Sequence, residues 1–238
     1  MRDQYAGDIS DFLKYALLRQ LAGDGTRRLG VAWYYDPGHD GGPDGRHLEW
    51  QDDENWAAFD PELHRSLSAL PERTLAVLEE RDFWPAETLF HREPVPGSFG
   101  HRRKWLTNMQ AALGAANLVF LDPDTGLGQP SRKHATLEEL AALREEGRAL
   151  VFITFPARKA HRPQLEDLHE ALNSNLGECR PTTLTTSVSL ANRNSPGRYH
   201  PRIRWFTVID GDETLHRHLR DFADRLSQLP RVRAATHG

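Results

Sequence analysis

The sequence predicts an α/β protein built on a mostly parallel sheet with helices on both faces, a three-layer α/β/α arrangement. Three observations predict it. Short apolar runs at Leu29 to Tyr35, Asn117 to Leu121 and Leu150 to Phe155 read as strands buried on both faces. Between them lie longer segments whose apolar residues recur at helical spacing. All three runs end in polar or turn-rich loops, and open α/β sheets place their ligands at the carboxyl ends of their strands.

The elements follow in order. Asp8-Ile-Ser-Asp11 precedes Phe12, Leu13, Ala16, Leu17 and Leu21, a helical series that stops at Gly23. The run Leu29 to Tyr35 then feeds Asp36-Pro-Gly-His-Asp-Gly-Gly-Pro-Asp-Gly, a strand entering a long loop. Helical period marks Pro61 to Leu70 and Glu72 to Arg81, and Thr88 to His91 is a brief strand. Arg102 to Leu113 is a helix with a basic start, and Asn117 to Leu121 a strand broken by Asp122-Pro-Asp-Thr-Gly126. A helix over Leu137 to Glu146, the strand Leu150 to Phe155 and a helix near Gln164 to Asn173 come next. Thr182 to Leu190 and Ile203 to Ile209 are β-rich, and Leu215 to Leu226 is a closing helix.

With 238 residues and no Pro/Gly/Ser-rich linker, the reading is a single catalytic domain over 1–229 followed by a flexible tail at 230–238. Hydrophobic residues at 38% and charged ones at 27% exclude a disordered chain. The lone Cys179 has no intramolecular disulfide partner, and there is neither a signal peptide nor a run of about 18 apolar residues, so a cytoplasmic location with no membrane contact is expected. A formal net charge of −4 excludes a uniformly basic nucleic-acid binder; such binding requires a local patch.

Two acidic strand ends carry the chemistry. Asp36-Pro-Gly-His39 puts a carboxylate and an imidazole three residues apart on a loop leaving a buried strand, where one orients water or steadies a cation and the other donates to a departing anion. The same residues also make an ordinary Asp-Pro-Gly turn. Asp122-Pro-Asp124-Thr-Gly126 fixes the chain with proline, reverses it with glycine and leaves two carboxylates facing one mouth; its plain alternative is a helix N-cap. No Cys/His spacing of zinc type and no His-Glu-x-x-His occurs, so no metal is expected. Phosphate contacts are expected from Arg102, Arg103, Lys104, Arg158, Lys159, Arg162 and Arg198, with Trp105 or Tyr199 stacking on or wedging beside a base.

Trp33-Tyr-Tyr-Asp36-Pro-Gly-His39 and Val119-Phe-Leu-Asp122, with Ser131-Arg-Lys-His134 and Leu150 to Phe155, resemble the strand-end motifs of the uracil-DNA glycosylase superfamily over about half the chain. That family's His-Pro-Ser loop has only approximate counterparts in Thr186-Ser-Val-Ser189 and Asn194-Ser-Pro196. A competing resemblance joins Ala6-Gly-Asp-Ile-Ser-Asp11-Phe-Leu-Lys14-Tyr15 and Asp122-Pro-Asp-Thr125 to the Ala-Gly-Asn-x-x-Asp-x-x-Lys-His and Asp-Pro-Pro-Tyr motifs of S-adenosylmethionine-dependent methyltransferases of ribosomal RNA adenine. Against that activity, the strand after the first helix lacks a Gly-x-Gly turn, and Asp124-Thr125 replaces the Pro-aromatic pair that holds a flipped base.

The glycosylase resemblance implies that Asp36 drives bond cleavage, with His39 or Arg158 steadying the leaving base. Asp122 in place of an amide suits an amino-bearing base, and Gly38 in place of a blocking tyrosine leaves room beside a pyrimidine's C5. Tyr35 and Phe155 complete the expected base pocket, and Asp124 joins the catalytic carboxylates. The expected function is a cofactor-free DNA glycosylase that flips out and excises a modified, bulky C5-substituted cytosine, leaving abasic sites in phage DNA as a bacterial defence. The alternatives are a base methyltransferase using S-adenosylmethionine and a non-catalytic nucleic-acid-binding module. No obligate protein partner is expected.

Overall fold

The computed structural model describes residues 1–23, 25–38, 45, 47–97, 99–191 and 199–238. Helix α1 (Ile9–Ala22) begins where the Asp8 carboxylate accepts from the amides of Ser10 and Asp11, and ends at Gly23, whose φ of 63° suits a residue without Cβ. Strand β1 (Leu29–Trp33) follows. A 3₁₀ turn (Glu49–Asp52) and α2 (Glu54–Phe59), which the sequence reading did not anticipate, lead to α3 (Pro61–Ser68) and α4 (Leu75–Glu79). Helix α4 starts later than its helical pattern because Thr74 caps it by accepting from the Val77 amide.

The chain continues through β2 (Leu89–His91), α5 (Phe99–Ala112), β3 (Leu118–Asp122), the short pair β4 (Gly126–Leu127) and β5 (His134–Ala135), and α6 (Leu137–Leu143). It closes with β6 (Ala149–Thr154), α7 (His161–Leu176), β7 (Thr182–Ala191), β8 (Tyr199–Ile209), α8 (Glu213–Ser227) and β9 (Val232–His237).

The seven-stranded sheet runs in the order β2-β1-β3-β6-β8-β7-β9. The α/β fold is the one expected: the first four strands are parallel, β7 shares their direction, and β8 and β9 run against it. The expectation of a flexible tail at 230–238 is corrected. Val232 to His237 pairs along β7 from Val188 to Thr183, because alternating Val232, Ala234 and Thr236 tuck inward while Arg233, Ala235 and His237 face out.

Alternation along the strands fills two cores. On β3, Leu118 and Phe120 pack toward α1 and α8, with Phe12, Leu17, Phe206 and Phe222; Val119 and Leu121 pack toward α5, α6 and α7, with Met109, Leu140 and Leu172. Among the described residues no helix is long and apolar enough to cross a membrane.

Candidate active site at the strand ends

Strands β2 and β3 flank β1 on opposite sides, so the chain order reverses between β1 and β3, the place at whose carboxyl ends open α/β sheets bind ligands. In the register of that pair Trp33 lies beside Asp122, and Asp36 follows three residues on. The two acidic strand ends picked out in the sequence are therefore neighbours at the switch point of the sheet.

Neither carboxylate is bare. Lys14, on α1 and 3% exposed, donates to both oxygens of Asp122 at 3.1 and 2.9 Å and lies 2.6 Å from Asp11. Asp11 also accepts from the Gly7 amide at 2.8 Å. Gly7 has φ of +75°, and a Cβ there would lie 2.9 Å from Leu70, so this position requires glycine. Burial works against the Lys14 charge, but Asp11 and Asp122 outweigh it and hold the ammonium far up the alkaline range. Asp122 itself is pushed up: burial dominates over the pull of Lys14 and the N-terminal amine. Deeper in the same cluster, burial brings Arg204 down to about 10 as it donates to Ser10 at 2.7 Å.

The N-terminal segment packs over these strand ends. The Met1 amine lies 2.8 Å from Asp124 and donates to the Tyr34 carbonyl, while Arg2 holds Asp36 at 3.0 and 3.2 Å. Arg132 approaches Asp36 at 3.7 Å. Although burial opposes it, the Gly38 amide with Arg2 and Arg132 keeps the Asp36 carboxyl below its usual range. Gly38 donates to Asp36 at 3.2 Å and is exposed. Tyr35 is committed elsewhere, donating to Asp3 at 2.9 Å. Phe155 sits beside the Asp-Pro-Asp-Thr turn, its amide donating to the Thr125 carbonyl at 2.9 Å. His39 lies outside the described residues.

The basic residues divide into two groups. Arg102 is corrected from a phosphate contact to an internal strut: it is 7% exposed, donates to Glu139 at 2.6 Å and to the carbonyls of Ser131 and His134. Trp105 is likewise buried, donating to the Glu93 carbonyl, with Tyr34 against its ring, so it presents no face to a base. Both face inward because α5 packs its apolar side onto the second core. Arg103 and Lys104 point outward on the same helix, and Arg158, Lys159 and Arg162 are exposed around the start of α7; Arg198 lies outside the described residues.

Sequence reasoning did not assign Lys14 to the site, although Phe12, Leu13, Tyr15 and Ala16 flank it on its helix; a lysine buried among them requires a carboxylate partner. It also missed Glu139, which caps α6 with Thr136 while receiving Arg102 and the Tyr34 hydroxyl. His91 is a further miss. It ends β2, is 3% exposed, and neither ring nitrogen hydrogen-bonds any described residue; burial lowers its pKa. The Thr154 hydroxyl at the end of β6 is also buried and hydrogen-bonds no described residue. Among the described residues no group of three or more His, Cys, Asp or Glu is disposed to hold a metal ion.

No family model and no curated protein matches the sequence. A similar solved structure is the crystal structure of protein LPL1258 from Legionella pneumophila str. Philadelphia 1, of family DUF519, at a TM-score of 0.53 and 11% identity over 98% of both chains. The likeness concerns the fold.

Proposed function

We propose that this chain modifies nucleic-acid bases at the β1/β3 strand ends, by methyl transfer from S-adenosylmethionine to an amino-bearing base. One observation carries the reading. The two segments that resemble the methyltransferase motifs, 108 residues apart at their contact, meet through the Lys14 ammonium, which binds Asp11 of the first and Asp122 of the second. The glycosylase-like segments also meet, Arg132 lying 3.7 Å from Asp36, but that pair is far more exposed than the Lys14 bridge.

The residues at the strand ends fit the polar parts of the donor. Asp36 offers a carboxylate for hydroxyl or ammonium groups, and His91 offers two buried ring nitrogens that hydrogen-bond no described residue, with Nε2 4.0 Å from Glu93, an arrangement that a bound polar molecule relieves. Asp36 and His91 would hold it, and when bound it supplies an electrophilic methyl group. The chain's own residues do the rest. Lys14 fixes the turn by pinning Asp122, and a carboxylate's remaining lone pairs leave Asp122 and Asp124 able to accept from an exocyclic amine. Asp124, with its side chain 9% exposed, takes the proton the amine loses. Phe155 supplies next to Thr125 the aromatic ring that the turn itself lacks.

The test is transfer of labelled methyl groups from S-adenosylmethionine to RNA and DNA by the full chain, and its loss in Asp124→Asn. A second reading, base excision, is favoured by the Asp36 carboxyl being held ionised, as cation stabilisation requires. Abasic sites and free base appearing without S-adenosylmethionine, with no methyl transferred, would overturn the first reading in favour of the second.

A further inference from the structure

The antiparallel end of the sheet carries a groove of about 1400 Å³, walled by α7 and floored by β7, β8 and β9. That volume exceeds the roughly 300–1,000 Å³ of a small-molecule pocket, so a polymer segment fits it better than a metabolite. Its charge is one-sided. Arg162, Arg231 and Arg233 line it against a single acidic side chain among the described lining residues, Glu166, which Arg162 already engages at 2.9 Å. This occurs in a chain whose net charge is −4.

Its aromatic content is also unusual. Tyr199 is the large hydrophobic side chain left exposed among the described residues, at 39%. The Arg231 guanidinium lies 3.9 Å from the centre of its ring, carried on a backbone with φ of 60°, a costly conformation for arginine. Beside them Ser187 and Ser189 line the β7 edge of the groove with hydroxyls.

We infer that this groove binds single-stranded RNA. Guanidinium groups meet phosphates, an exposed ring backed by a cation stacks a base, and serine hydroxyls both donate to and accept from a ribose 2′-hydroxyl. Three arginines against one already paired carboxylate favour a polyanionic occupant. The inference rests on the proposed function only in making the bound strand the substrate; binding itself is measured separately.

The experiment is fluorescence anisotropy of the full chain with a labelled mixed-sequence RNA of about twelve nucleotides, within the span of one single-strand-binding module. Tyr199→Ala is expected to weaken binding about tenfold and Tyr199→Phe to leave it unchanged. Arg231→Glu and Arg233→Glu are each expected to weaken it about tenfold and to flatten the slope of log affinity against log salt by about 0.7. Arg217→Glu, an equal charge change on the exposed side of α8, is expected to have little effect. Thermal unfolding of each variant separates lost binding from lost folding. No binding by the unaltered chain, equal loss in Arg217→Glu, or equal affinity for DNA of the same sequence overturns the assignment. Methyl transfer without RNA binding here refutes this inference alone, and RNA binding without methyl transfer refutes the proposed function alone.

Discussion

Replacing Lys14 by methionine tests whether the centre of the molecule is held as the strand-end geometry implies. The substitution leaves an unbranched side chain one atom shorter and removes the ammonium that lies 2.6 Å from Asp11 and 2.9 Å from Asp122, both almost fully buried. Deleting one partner of a buried ion pair costs about 3–5 kcal/mol, because the remaining charge is stranded in a medium of low dielectric. That is a large share of the roughly 5–15 kcal/mol that holds a typical protein folded. With a urea slope of about 3 kcal/mol/M, the unfolding midpoint falls by roughly 1–2 M.

The pH dependence has a definite sign. In the unaltered chain the folded Lys14 pKa is raised, so its contribution is complete below the unfolded lysine value and is lost only as pH rises through the folded one; it does not change between pH 5 and 8. In the variant Asp122, already pushed up by burial, loses its main counter-ion and titrates higher still. A carboxyl raised on folding favours the folded state below the unfolded carboxylate range and penalises it as pH climbs through the folded value. The deficit of Lys14→Met is therefore smaller at pH 5 than at pH 8, and Asp122→Asn added to it restores part of the loss. Urea titrations followed by tryptophan fluorescence at the two pH values measure all of this. A deficit below about 1 kcal/mol, or one that does not narrow on acidification, would refute the buried-network reasoning.

Four further outcomes are expected. Glu139→Ala removes the α6 capping partner and the Arg102 pair together, and should lower stability by about 3–5 kcal/mol in chemical denaturation. Gly126→Ala places a Cβ 2.8 Å from the Thr154 hydroxyl oxygen at a φ of +130°, so calorimetry should show a loss of at least about 1–3 kcal/mol. Ending the chain at Leu229 strips β9 from β7 and exposes a strand edge; light scattering should report aggregation that the intact chain does not show. Asp36 has a depressed folded pKa, so its contribution is present above the unfolded value and is lost as pH falls through the folded one. Acid unfolding monitored below about pH 4 should accordingly be less steep in Asp36→Asn.

The sequence by itself determined the α/β class and most elements, because burial on both faces leaves parallel strands as short apolar runs and one-sided burial gives helices a 3.6-residue period. It also pointed to a candidate site, since Asp122 ends one such strand, Asp36 follows another by three residues, and open α/β sheets bind ligands at strand ends. Tertiary structure decided what those carboxylates do. Charge pairing is a property of distance, and the partners of Asp122, Asp36 and Asp124 come from Lys14, Arg2 and the N-terminal amine, far away along the chain. The same holds for Arg102 and Trp105, whose basic and aromatic character read as a binding surface until packing turned them toward Glu139 and the Glu93 carbonyl. The last strand shows the limit from the other side: Val232 to His237 is too polar to declare itself as a strand, and it orders only because β7 offers an edge whose amides and carbonyls need partners.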